Sequence, residues 1–118
     1  MTGLLGEVDL PAPVDRWFED YVPGSVFEFG CASLRQTEIV AFARTYDPQS
    51  IHADPAWSAT GPFDGLIASG VHTIAVCMRL YVEHYISQVA SLASPGLDEI
   101  RWPRPVRPGD RLRIRVTV

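Results

Sequence analysis

The chain has 118 residues, a length that suits one domain with a single modest core. Its composition, 47% hydrophobic and 20% charged residues, is typical of an ordinary globular protein, and no apolar run is long enough to span a membrane. The first residues, MTGLLGEVDLPAP, carry acids where a secretory signal carries positive charge. We therefore expect a cytoplasmic protein that does not contact membranes.

The net charge of -4 hides an uneven distribution of arginine. All ten basic residues are arginine, and six of them lie between Arg101 and Arg115. Such a group could bind phosphate through its planar guanidinium groups, but arginines at alternate strand positions more often point into solvent. The acidic total and the lack of a matching motif predict no nucleic-acid partner.

The two cysteines, Cys31 and Cys77, belong to no CxxC motif and no cluster with histidine. We expect both to be reduced and largely buried thiols. Three scattered histidines and two distant cysteines give no recognisable ligand set, so we predict no metal site.

The N-terminal quarter is broken by prolines and a glycine, which predicts an irregular entry segment over residues 1–24 with at most one short helical turn. Three aromatic residues in it, Trp17, Phe18 and Tyr21, are expected to anchor it to the core. The next residues, 25–30, alternate between apolar and polar, which predicts a half-buried strand.

Two helices are predicted in the middle of the chain. Thr37 is a fair N-cap for a helix of about ten residues that ends before Pro48. Asp54 followed by Pro55 is a second start signal, with a capping acid and a proline at the first helical position. Gly61 and the proline after it close this shorter helix.

Apolar residues at helical spacing from Val71 to Val89 predict a longer helix of five turns, ended by the Ser-Pro-Gly sequence at 94–96. Strands are predicted over 97–102 and 111–118, separated by a turn at 108–110. Because the sequence ends inside a well-patterned strand, either strands of another chain complete the sheet or the chain is a shortened version of a longer protein, and we expect the second.

The stretch between the helices carries the candidate chemistry. Asp47 and His52 lie five residues apart in a crossing stiffened by prolines. A carboxylate and an imidazole within reach of each other can add or remove water, and Asp47 would need a raised pKa to act as the acid. Backbone N–H groups of Ser69 and Gly70, at the start of the long helix, could hold an oxyanion. The residues alone leave open a turn role for Asp47 and a packing role for His52.

The run FARTYDPQSIHADPAWSATGPFDGLIASGVHT resembles the signature of the MaoC-like dehydratase family, also called the R-specific enoyl-CoA hydratases. The flanking sequences WFEDYVPGSVFEFG and LDEIRWPRPVRPGDRLRIRV resemble members of it as well. The resemblance implies an α+β hot-dog fold over residues 1–118 as a single domain, in which a curved antiparallel sheet wraps a long central helix. The family's final strands would be missing from this chain.

The resemblance also implies the site. Asp47 and His52 fall on the family's catalytic pair, which activates water for syn addition across the double bond of a 2-enoyl thioester. Gly70 falls on the glycine whose N–H binds the thioester oxygen, and we expect Ser69, Ile51 and Gly65 to contribute to substrate binding. CoA would be part of the substrate and not a cofactor, no metal would be needed, and the protein would be a homodimer.

Many hydratases of the family carry Asn-Pro before the Ile-His pair and His-Gly at the helix start, where this chain has Gln49-Ser50 and Ser69-Gly70. The predicted function is that of a hydratase or dehydratase of acyl-CoA thioesters. The alternatives are a hot-dog thioesterase and a non-catalytic acyl-CoA-binding subunit of a heteromeric dehydratase. Packing is the expected role of His72, in the first turn of the long helix.

Overall fold

The computed structural model describes residues 12–118, so the part of the entry segment before residue 12 lies outside the described residues. Two 3-10 turns, Pro13–Asp15 and Phe18–Asp20, precede the regular elements. These elements are, in order, β1 (Val26–Ser33), α1 (Gln36–Tyr46), α2 (Ser50–Ala53), α3 (Pro55–Ala59), α4 (Gly70–His84) and β2 (Arg111–Thr117).

The chain divides into two compact units. Within the described residues, the first contains residues 12–31 together with Cys77–Asp98 and Leu112–Val118, and the second contains Ala32–Val76 and Glu99–Arg111. Among residues 12–118, no helix combines the length and the apolar character that crossing a bilayer requires.

In the first unit, β1 and β2 pair in an antiparallel two-stranded sheet. The inward residues Phe27 and Phe29 are buried, as the alternating pattern predicts. The Phe29 ring stacks on His84, with centroids 5.8 Å apart, and contacts the buried Tyr85 at 5.7 Å. Aromatic packing therefore joins the strand to the end of α4.

The alternating arginines of β2 lie on its exposed face, as predicted. Arg113 and Arg115 both form ion pairs with Glu28 on β1, at 2.8 and 2.7 Å. The hydrogen bond from Arg115 lowers the pKa of the Glu28 carboxyl from its ordinary value. These two arginines thus contact the neighbouring strand instead of presenting a free cationic surface.

The entry segment is anchored by different residues from those predicted. Trp17 and Phe18 are 58% and 84% exposed, so their predicted anchoring role is wrong. Arg16 is buried instead, and its guanidinium donates to the carbonyl oxygens of His84, at 2.9 Å, and of Tyr85. The Tyr21 hydroxyl also donates to the Tyr85 carbonyl, at 3.0 Å, which confirms that anchor.

The long helix begins where predicted but ends at His84, five residues before Val89. The last carbonyls of a helix have no partner within it, and here the Arg16 guanidinium supplies donors to them. Beyond the helix, Ser87 Oγ donates to the Arg16 carbonyl. The apolar pattern of the sequence continues beyond His84 because Tyr85, which follows the helix, is also buried. The predicted helix was therefore longer than α4.

In the second unit, α1 begins at Gln36, one residue before the predicted N-cap Thr37. The N-cap is Arg35, and the Glu38 side chain bonds back to it. Glu38 Oε1 accepts from the Arg35 backbone N–H at 3.3 Å and from its Nε at 2.7 Å.

The buried face of α1 packs against residues that flank α4. The core cluster consists of Leu34, Ile39, Leu66 and Ala68, with Val40, Val76 and Val106 packed against it.

The predicted helix start at Asp54-Pro55 is confirmed by α3, whose N-cap Asp54 accepts from the Trp57 backbone N–H at 3.0 Å.

The strand predicted over 97–102 is absent from the described structure, in which this segment pairs with no other strand. The prediction of buried cysteines is also wrong, since Cys31 and Cys77 are free and exposed.

Replacing Ile39 tests the core of the second unit. Ile39 has no exposed surface, so Ile39→Ala removes three carbons from a filled space and should lower the free energy of unfolding by about 2–5 kcal/mol. The milder Ile39→Val should cost about 0.5–1.5 kcal/mol. Urea unfolding of both variants measures the difference, and equal costs would show that the site collapses around the smaller side chain.

Replacing Arg16 tests the closure of α4. Arg16→Met removes the donors to the His84 carbonyl and leaves the Tyr85 carbonyl with the Tyr21 hydroxyl alone, which should cost about 1–3 kcal/mol of the free energy of unfolding. The control is Arg79→Met, which removes an arginine whose side chain is 80% exposed and should change stability little. Thermal unfolding at one pH compares them, and similar stabilities would rule out a capping role for Arg16.

Candidate active site

Asp47 lies at the point where α1 stops. Its backbone N–H makes the last bond of the helix, to the carbonyl of Ala43 at 2.8 Å, and its own φ and ψ of -150° and 71° leave the helical region. Pro48 enforces this exit, because a residue before proline is disfavoured in the α region. The carboxylate is therefore carried on the rigid end of a helix.

Both oxygens of the Asp47 carboxylate accept hydrogen bonds from side chains. Ser69 Oγ donates to Oδ2 at 2.7 Å, and Gln49 Nε2 donates to Oδ1 at 2.7 Å. These two bonds, that from Ser69 foremost, lower the pKa of Asp47 from its ordinary value. The raised pKa that an acid role for Asp47 would need is not found, so this carboxyl is suited to work as a carboxylate.

His52 lies in α2 and is buried, with 6% of its surface exposed. Its Nδ1 lies 2.8 Å from the carbonyl oxygen of Ile67. A carbonyl only accepts, so this bond requires the proton on Nδ1 and leaves Nε2 as the atom that gains or loses a proton. Nε2 is 3.5 Å from Asp47 Oδ2. The structure thus brings the two predicted residues together.

Ser69 and Gly70 lie at the start of α4, as predicted. Ser69 is completely buried, and its carbonyl accepts the Thr73 N–H at 3.1 Å, one turn into the helix. The N–H of Gly70, the first residue of the helix, meets no backbone acceptor within residues 12–118. This donor at the positive end of the helix dipole is available to an anionic oxygen.

Trp102 covers the other side of Gly70. Its Nε1 donates to the Gly70 carbonyl at 3.0 Å, and a Cβ on Gly70 would lie 2.5–2.9 Å from three atoms of the indole. The resemblance implied that the Gly70 N–H binds the thioester oxygen, and this contact stays a prediction. In the structure, the absence of a side chain on Gly70 makes room for the indole.

Ile51 and Gly65, two of the predicted substrate-binding residues, have clear local roles. The Ile51 carbonyl accepts the Ile67 N–H at 3.3 Å, which ties α2 to the segment before α4. Gly65 has a φ of +139°, a backbone conformation that side chains rarely allow. Their contact with substrate stays a prediction.

His72 is buried, and its ring stacks on Phe42 with centroids 4.3 Å apart. Burial lowers its pKa from the ordinary value. Its Nδ1 has no hydrogen-bond partner in the described part of the chain. A neutral, stacked ring agrees with the expected packing role.

No group of three histidine, cysteine or acidic side chains that could hold a metal occurs in residues 12–118. The polar groups that converge are those around Asp47. Sequence reasoning missed two of them, the side chains of Gln49 and Ser69. The sequence offered one signal for their role, because Gln49 and Ser69 differ from the residues usual in the family. That difference did not show that either side chain points toward Asp47.

Comparisons with known proteins show which family the chain is similar to. A family model described as MaoC like domain matches residues 19–118. The crystal structure of a MaoC-like dehydratase from Rhodospirillum rubrum is similar, with a TM-score of 0.79 and 37% identity, covering 87% of this chain and 70% of that one. R-hydratase PhaJ1 from Pseudomonas aeruginosa gives a TM-score of 0.62 and 27% identity, covering 85% and 63%.

A 3-hydroxyacyl-thioester dehydratase Z of Mycobacterium tuberculosis is 41% identical over 83 residues, which are 69% of this chain and 55% of that protein. The chain thus spans little more than half the length of this relative. The structural neighbours have the hot-dog fold, and the α+β arrangement of a long helix with an antiparallel pair of strands is shared with them. By its sequence and its structure, the chain belongs to the MaoC-like domain family.

Proposed function

We propose that the protein is a hydratase or dehydratase that interconverts 2-enoyl-CoA and 3-hydroxyacyl-CoA thioesters. The observation that carries the proposal is the pairing of Asp47 with His52, with Oδ2 and Nε2 3.5 Å apart. At that separation one water can hydrogen-bond to both atoms. The names of the relatives, a 3-hydroxyacyl-thioester dehydratase and an R-hydratase, support the same reaction class.

Asp47 is suited to orient the water. Its lowered pKa keeps the carboxylate ionised at neutral pH, and a carboxylate accepts more than the two bonds already made by Ser69 and Gln49. The remaining acceptor sites can take a proton of the water. Because Ser69 and Gln49 each hold one oxygen, the carboxylate has little freedom to rotate.

His52 is suited to carry the proton. With Nδ1–H bonded to the Ile67 carbonyl, Nε2 takes a proton from the water while the water oxygen forms a bond to C3 of the enoyl group. The electron pair of the C2–C3 double bond moves toward the thioester oxygen. The proton on Nε2 then passes to C2, and the net addition is one water.

Gly70 is suited to stabilise the charge that develops on the thioester oxygen. Its N–H lies at the start of a fifteen-residue helix, and a donor at such a position is favourable to negative charge. Because one imidazole both accepts the proton of the water and returns it to carbon, both new bonds form on the same face of the double bond. Dehydration is the reverse sequence.

The pair is tested with crotonyl-CoA by following the loss of conjugated enoyl-thioester absorbance beside an assay for free thiol. We expect hydration by the unmodified protein without thiol release, and a decrease of about 10²–10⁴-fold in Asp47→Asn and in His52→Ala, because the first removes the charged acceptor that orients the water and the second removes the group that moves the proton. The matched control is Asp54→Asn, in which asparagine still caps α3.

Other outcomes of this assay decide between the alternatives. Free CoA thiol without a 3-hydroxy product would identify a thioesterase. Binding without turnover of enoyl thioesters of any chain length would identify a non-catalytic acyl-CoA-binding subunit. Activity in both variants equal to that of Asp54→Asn would remove the pair from the mechanism.

Ser69→Ala tests the origin of the ionised carboxylate. Without the Ser69 hydrogen bond, the pKa of Asp47 moves back up toward its ordinary value, so an NMR titration of the Asp47 carboxyl should reach its midpoint at a higher pH than in the unmodified protein. The same loss of a bond to a charged group should lower kcat/KM by about one to two orders of magnitude. An unchanged midpoint would show that the Ser69 hydroxyl does not keep the Asp47 carboxylate ionised.

A further inference from the structure

Trp102 is an exposed side chain whose position is nevertheless fixed. Of its surface 53% is exposed, although burying a large aromatic side chain is favourable. The bond from its Nε1 to the Gly70 carbonyl satisfies the only polar atom of the indole. One part of the ring is therefore held against the backbone at the start of α4, while the rest stays open.

The loop that carries Trp102 is also tied to the segment that leads into α4. The Val106 carbonyl accepts the Ala68 N–H at 2.8 Å. Arg107 donates to the Phe63 carbonyl at 2.6 Å. Holding an aromatic ring in place before a ligand arrives reduces the entropy lost on binding.

The residue to which the indole is fixed is the one proposed to bind the thioester oxygen. Gly70 offers its N–H at the helix start and its carbonyl to Trp102. The residue before it, Ser69, bonds to the carboxylate of Asp47. An acyl thioester whose oxygen accepts from the Gly70 N–H therefore brings its first carbons within reach of the indole.

We propose that Trp102 is a substrate-contact residue whose open indole face packs against the acyl thioester next to its carbonyl. The inference rests on the proposed function of Gly70. It assigns the aromatic contact to the acyl part of the substrate and not to the nucleotide of CoA. An aromatic ring and a planar conjugated thioester are matched in shape and polarisability.

Fluorescence titration tests the contact without requiring turnover. The sequence contains three tryptophans, so the double variant Trp17→Phe/Trp57→Phe leaves Trp102 as the only emitter. Butyryl-CoA, which has no double bond to hydrate, is titrated beside free CoA. We expect a saturable change in emission with butyryl-CoA and none with CoA at equal concentration.

Kinetics on crotonyl-CoA supply the second readout. Trp102→Leu should raise KM about three- to tenfold, the range for losing one aromatic contact, and Trp102→Phe should raise it less. Trp57→Phe is the matched control, and it should leave KM unchanged. Thermal unfolding of each variant confirms that the folded protein is being compared.

The remaining outcomes overturn the inference in distinguishable ways. An equal emission change with CoA alone would assign the indole to the nucleotide. Normal hydration with no emission change would make Trp102 a packing residue. A change of oligomeric mass in Trp102→Leu, with KM unaltered, would place it in a subunit interface. Neither binding nor turnover of any acyl-CoA by the unmodified protein would overturn the proposed function as well.

Discussion

The hydrogen bond from Ser69 to Asp47 is the contact on which the candidate site depends. It spans 2.7 Å and joins the end of α1 to the start of α4, two helices that are held by the same core around Ile39 and Leu66. Through it, the position of the carboxylate is set by helix packing, which is rigid, and not by a loop. Gln49 fixes the second oxygen from the crossing that follows α1.

The rest of the site follows from this fixed carboxylate. His52 is oriented by a bond on its other nitrogen, to Ile67, so its reactive nitrogen faces Asp47 without a direct bond. The resulting separation of 3.5 Å is longer than that of a tight ion pair, which would hold the imidazole proton in place, and a water beside the pair can contact both atoms. The third element of the proposed mechanism is the Gly70 N–H at the start of α4.

Local signals in the sequence predicted the elements that local physics decides. Three features were predicted from residue types and their spacing alone. They are the start of α3 at Asp54-Pro55, the alternation of β1 and β2, and the pairing of Asp47 with His52. The end of α4 was not predicted, because it is set by Arg16, which lies 68 residues before His84. The segment 97–102 has a strand-like pattern, but a strand also needs a partner, and in the described chain its Trp102 packs on Gly70 instead. The bonding of Gln49 and Ser69 to Asp47 likewise depends on side-chain directions that residue types do not fix.

The stereochemical course of hydration tests whether His52 moves the proton. When crotonyl-CoA is hydrated in D₂O, the proposed mechanism gives a 3-hydroxybutyryl-CoA with one deuterium at C2, on the same face as the new hydroxyl group. NMR coupling constants of the product distinguish the two faces. Deuterium on the opposite face would contradict a mechanism in which His52 both takes the proton from water and delivers it to carbon. Release of CoA without a 3-hydroxy product would contradict hydration itself.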